Sequence, residues 1–191
     1  DCAPVSQSVK MTFPARDAKR PWKGMKKNEQ LKQVDVYWYD GGIKPMLPEG
    51  WPDGKNPNDS GGGVIFHGTK DKLICGCYGV NPWLLSGRVP EAPKFRRRVE
   101  ESHEMDWVRA VKESPENRVE ASSNFNYSGP LNEMVVMGNL GVRLQSLNRE
   151  LLWDGEAMKI TNISDSDEVS IVKSDTFTIH NGHPSFDTQH D

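Results

Sequence analysis

Gly63-Val64-Ile65-Phe66-His67-Gly68 and Lys72-Leu73-Ile74-Cys75-Gly76 are two short apolar runs separated by Thr69-Lys70-Asp71. Short runs rich in Val, Ile and Phe and bounded by glycine read as strands, and a three-residue polar break between them reads as a hairpin turn. A hairpin makes chain neighbours antiparallel partners, whereas parallel partners need a long crossover. Upstream, Val5 to Phe13 (VSQSVKMTF) places Val9, Met11 and Phe13 on one face and stops at Pro14. Val34 to Tyr39 (VDVYWY) alternates in the same way, and Asp40-Gly41-Gly42 closes it as a turn. Downstream, short strands are expected over Glu150–Trp153, Met158–Thr161 and Val169–Val172. From Ser174 onward the pattern fades, so residues 174–191 read as a polar tail in which His180 and His183 are solvated.

Two helices interrupt these strands. Ser102 is a plausible N-cap, with Glu104 and Asp106 in the first turn and Lys112 in the last, as the helix dipole prefers. Met105, Val108 and Val111 share a face, and Pro115 marks the stop. A longer helix is expected to start near Gly129-Pro130 and run through LNEMVVMGNLGVRLQ. It is apolar nearly all round and is therefore expected to be buried. Gly138 and Gly141 each cost about 1 kcal/mol against Ala, a cost that close approach to a neighbouring element offsets. Strands outnumber helices and do not alternate with them. The expected class is therefore α+β with a mostly antiparallel sheet.

Composition excludes several classes. Charged residues are 27% and hydrophobic ones 35%, so the chain is no disordered polyelectrolyte. Its apolar runs stop at four or five residues, far short of a spanning helix, so no membrane partner is expected. A net charge of −3 argues against a general nucleic-acid binder. The basic stretch 14–33, which holds Trp22, reads as a solvated loop, as does Arg96-Arg97-Arg98. Three cysteines, Cys2, Cys75 and Cys77, make a poor disulfide framework, and a C-x-C is not zinc spacing. Cys75 and Cys77 read as small buried hydrophobes. The chain opens Asp1-Cys2-Ala3-Pro4 without initiator Met, signal peptide or leader. Either something was cut off or it is a piece of something longer.

Few constellations carry chemistry. Asp59-Ser60-Gly61-Gly62-Gly63 precedes a strand rather than a helix, so it is no phosphate cradle, and no G-x-G-x-x-G is present. His103 and Asp106 share a helical face and could form an acid–base pair or supply two metal ligands. Two ligands are too few for a catalytic metal, and a capping turn explains the spacing as well. No metal site is expected, and a metal-dependent hydrolase is a distant third reading. Trp51 and Trp83 lie in two proline-rich stretches, where an indole either stacks on a sugar ring or anchors the loop.

Several stretches taken in order resemble a known family. They are Val36-Tyr37-Trp38-Tyr39-Asp40-Gly41-Gly42 with Lys44-Pro45, and Gly61-Gly62-Gly63-Val64-Ile65-Phe66 with Gly68, Lys72-Leu73 and Tyr78-Gly79-Val80-Asn81-Pro82. His103, Trp107, Ala110 and Lys112 follow, then Phe125 to Glu133 with Gly138-Asn139-Leu140. Leu152-Trp153-Asp154 and Met158 to Asn162 complete the set. Together, over residues 5–162, they resemble the C-terminal domain of bacterial Gfo/Idh/MocA-type oxidoreductases, in a branch common among sugar-degrading bacteria.

The resemblance implies an open, mostly antiparallel sheet with helices packed on one face over residues 1–173. That part would form the substrate wall and, through the sheet face, a homo-oligomer interface. It implies a parent in the bacterial cytoplasm or periplasm that moves a hydride to or from a sugar, polyol or glycoside, in some branches as an NAD-dependent glycosidase. NAD or NADP would sit on a Rossmann domain missing from this sequence. Neither a catalytic residue nor a cofactor ligand is expected here, because the family's Glu-Lys-Pro is absent; Ile43-Lys44-Pro45 imitates it in the wrong domain. The residues expected on the substrate side are Trp38, Tyr39, Asp40, Asn81, His103, Asn124 and Tyr127. The alternative is a stand-alone carbohydrate-binding or scaffold module without redox activity. A sheet built to meet partners leaves an apolar face exposed, so self-association is expected.

Overall fold

The computed structural model describes residues 4–16, 30–57, 61–91, 99 and 102–169, and the backbone of 177–180 and 183–186. Cys2, Trp22 with most of the basic stretch, Asp59-Ser60, Arg96-Arg97-Arg98 and residues 170–172 lie outside the described residues. The class is α+β, with antiparallel ladders and two helices. The described strands form four separate ladders. The chain divides into two units, Asp1–Lys44 with Arg109–Asp191, and Pro45–Val108.

In the first unit, β1 (Gln7–Phe13) pairs antiparallel with β2 (Val34–Asp40). The register sets Gln7, Val9 and Met11 opposite Asp40, Trp38 and Val36, so the alternation read from sequence becomes one shared face. On the other face Lys10 pairs with Asp35 at 3.2 Å. Gly41 turns the chain after β2 at φ +64°, where a Cβ would come 2.0 Å from the Val5 carbonyl oxygen. Only glycine fits there.

In the second unit, β3 (Gly63–His67), β4 (Lys72–Gly76) and β5 (Trp83–Leu84) form an antiparallel ladder in that order, with β4 central. The expected hairpin is there. A Cβ on Gly68 would meet the Asp71 carbonyl oxygen at 2.9 Å, so the turn needs glycine. The Asp71 carboxylate accepts from Lys72 N at 2.8 Å and from the Ser86 hydroxyl at 2.5 Å, tying the turn to the segment after β5. Ile74 is 2% exposed and Cys75 and Leu84 are buried, which makes this ladder the best-buried part of the described chain. Cys75 is buried as expected, whereas Cys77 is half-buried in a single 3-10 turn, Cys77–Gly79.

Helix α1 (His103–Lys112) begins after Ser102, whose hydroxyl accepts from Met105 N at 3.3 Å. Helix α2 (Phe125–Arg143) begins earlier than the sequence suggested. Its N-cap is Asn124, which accepts from Asn126 N at 3.0 Å. Pro130 is therefore inside the helix, where it removes one i→i−4 bond. The expectation of a buried helix is overturned: no residue of α2 is buried, and Leu131 and Val135 are 45% and 55% exposed. The helix lies against β1 and the hairpin below, which together cover only part of its circumference. Among the described residues nothing lies within 4 Å of a Cβ built on Gly138 or Gly141, so neither glycine marks a close approach there.

A small hairpin, β6 (Trp153–Asp154) and β7 (Lys159–Ile160), follows. The Asp154 carboxylate accepts from Glu156 N and Ala157 N, both at 3.0 Å, and shapes its turn. The Asn162 side chain bridges Leu152 N and the Glu150 carbonyl, each at 2.8 Å. The tail is not wholly irregular: β8 (Phe177–His180) pairs with β9 (His183–Phe186), setting His180 opposite His183. Among the described residues no helix is long and apolar enough to cross a membrane.

Candidate functional site

β2 carries three of the seven expected site residues. Trp38 and Asp40 alternate onto one face, and the Trp38 indole N–H donates to Asp40 Oδ2 at 2.8 Å. Gln7, directly across the ladder, donates its amide N–H to the same oxygen at 2.7 Å. These two bonds, Trp38 first, hold the Asp40 carboxyl below its ordinary value, because both favour the ionised form. Trp38 remains 57% exposed. The arrangement is a fixed carboxylate beside an open indole.

Tyr39 lies on the opposite face. Its ring runs parallel to that of Tyr37, with centroids 6.5 Å apart and planes 10° apart. The Lys10 ammonium is 5.5 Å from the Tyr37 ring centroid. Its bond to Asp35, and then to Tyr37, raises the Lys10 pKa, while the Thr12 hydroxyl and then Lys10 lower that of Asp35.

The other expected residues divide. Asn124 is the α2 cap, and its carbonyl also accepts from the Ser128 hydroxyl at 3.1 Å. Tyr127, one turn on, is 61% exposed. Neither is hydrogen-bonded to the Trp38–Asp40 pair. Asn81 and His103 belong to the second unit, and both are exposed. Asn81 adopts φ +48°, a left-handed conformation Asn tolerates well. His103 opens α1, whereas Asp106, three residues on, is 6% exposed. Among the described residues no group of three His, Cys, Asp or Glu side chains could hold a metal.

Trp51 and Trp83 meet edge to face with centroids 5.2 Å apart. Lys55 Nζ lies 3.5 Å from the Trp83 centroid, and the Trp51 indole N–H donates to the Lys55 carbonyl at 2.8 Å. One face of Trp83 is thus taken by a cation, and the pair anchors the proline-rich loop rather than forming a flat platform.

One pairing was not legible in the sequence. Glu133 of α2 accepts from the Trp153 indole N–H at 2.7 Å, across twenty residues. Both residues fall within the stretches that carried the resemblance, which was the one available signal. They line a half-open groove of about 220 Å³ together with Gly129, Asn132, Val136, Met137, Leu140 and Met158, of which Val136 and Met158 stay 47% and 63% exposed. No family model matches the chain, and no curated protein matches it.

Proposed function

We propose that residues 1–173 are the substrate-side and oligomer-forming part of a Gfo/Idh/MocA-type oxidoreductase. The parent acts on a sugar, polyol or glycoside by NAD(P)-dependent hydride transfer. The observation that carries this reading is the ordered series of motif stretches between Val36 and Asn162. The antiparallel α+β architecture is compatible with it. On this reading Asp40 Oδ1 accepts from a sugar hydroxyl while its Oδ2 is held by Gln7 and Trp38, and the exposed Trp38 indole covers an apolar sugar face. The residues present do not fit the dinucleotide. Gly62 and Gly63 lead into strand β3 rather than opening a helix, and no G-x-G-x-x-G occurs. The cofactor therefore belongs to a Rossmann domain elsewhere in the parent, and no step through it is derived from this chain. The exposed Val34 of β2, with Leu131 and Val135 of α2, supports homo-oligomer formation.

Calorimetric titration of the purified chain with NADH and NADPH tests the division of labour. No binding in the micromolar range is expected, and a micromolar Kd for either overturns it. The Tyr37–Tyr39 pair favours a second reading, a carbohydrate-binding module without redox activity. Two parallel rings beside Lys10 and Asp35 offer stacking and hydrogen bonding together.

A further inference from the structure

We infer that the groove between α2 and the β6–β7 hairpin is a binding site for a small aliphatic ammonium compound. The argument begins with its walls. Val136, Met137, Leu140 and Met158 are apolar, and only Asn132 and Glu133 bring polar side-chain groups apart from the Trp153 indole N–H. A sugar would turn several hydroxyls toward groups that cannot bond them, which is costly. A short alkyl chain meets no such penalty, and two methionines adapt to its shape.

The charge comes from Glu133. Among the described residues this half-buried carboxylate forms no ion pair, and Oε1 accepts the Trp153 indole N–H. Oε2 remains for a donor from a ligand. The Trp153 bond holds the carboxylate against the hairpin. A Cβ added at Gly155 would come 2.8 Å from Oε1, so a larger residue there would push the carboxylate aside. Met158 adopts φ +51° as it lines the same groove. A carboxylate beside an indole ring in a half-open groove with apolar walls selects a cation with an apolar body. At about 220 Å³ the groove is smaller than those that take drug-sized molecules, which points to a short chain. The site does not depend on the oxidoreductase reading, since none of its residues serves the Trp38–Asp40 pair.

The test uses the whole chain and n-butylammonium chloride. The Trp153 indole N–H resonance is identified by its loss in Trp153→Phe. It is expected to shift saturably with n-butylammonium, and n-butanol is expected to bind at least tenfold more weakly. Glu133→Gln keeps an acceptor for the indole but removes the charge, and is expected to weaken n-butylammonium binding at least tenfold while circular dichroism is unchanged. If Glu133→Gln unfolds the chain, Gly155→Ala, which displaces the carboxylate, gives the same readout. The proposal is overturned if n-butylammonium leaves the Trp153 resonance unmoved. It is overturned equally if n-butanol binds as well, or if a folded variant binds n-butylammonium undiminished.

Discussion

Replacing Ile74 by alanine should remove the centre of the second unit's ladder. Ile74 is 2% exposed and lies on the middle strand, with Ile65 across from it on β3 and Trp83 on β5. The change deletes three carbon groups, worth about 2.4 kcal/mol at ~0.8 kcal/mol each. The cavity left between two partner strands adds to this, for a total of about 3–4 kcal/mol. For a unit of this size that lowers Tm by about 12 °C or more. Urea unfolding followed by tryptophan fluorescence reads the loss, since Trp83 is a direct cross-strand partner. Val64→Ala is the control: Val64 is 44% exposed on β3, and its truncation should cost less than about 1 kcal/mol. A loss below about 1 kcal/mol at Ile74, or equal losses at both positions, would refute the placement of the core.

Three other outcomes follow from the first unit. Asn124→Ala should destabilise the chain by about 1 kcal/mol through loss of the α2 cap, whereas Asn124→Asp should not; equal melting temperatures for all three proteins would remove the cap. The Trp38 indole N–H resonance should titrate with a midpoint below the ordinary aspartate value of about 3.9. The bonds from Trp38 and Gln7 favour ionised Asp40, so their contribution is complete above the ordinary value and disappears as pH falls through the depressed one. A midpoint above about 4 in that resonance contradicts the bonding scheme. Light scattering should show self-association that Val135→Glu reduces, because Val135 is 55% exposed on α2; a clean monomer at high concentration argues against it.

The legible parts of the fold were those set by local rules. Period-two alternation exposed β1 and β2, and the two apolar runs around Thr69-Lys70-Asp71 exposed the β3–β4 hairpin. Ser102 announced α1 because a hydroxyl before a first acidic turn is a local signal. Gly129-Pro130 signals a later start for α2 than the structure has, because proline at a first turn competes with Asn124, itself a strong cap. Its apolar sequence implied burial, yet burial depends on what the rest of the molecule supplies, and β1 with a short hairpin supplies too little. The candidate site was legible as residue types. Trp38 with Asp40 was readable because strand alternation puts i and i+2 on one face. Asn124 also caps α2, a role its residue type announces, whereas Glu133–Trp153 is a long-range pair that no spacing rule reaches.

The proposed function divides the work between this chain, as the substrate side, and a cofactor-binding domain elsewhere in an oxidoreductase. Sequencing the reading frame upstream of Asp1 tests it most directly. The account predicts a continuous stretch encoding a βαβ unit with G-x-G-x-x-G at its first turn. A start codon or a secretion signal immediately upstream would contradict it.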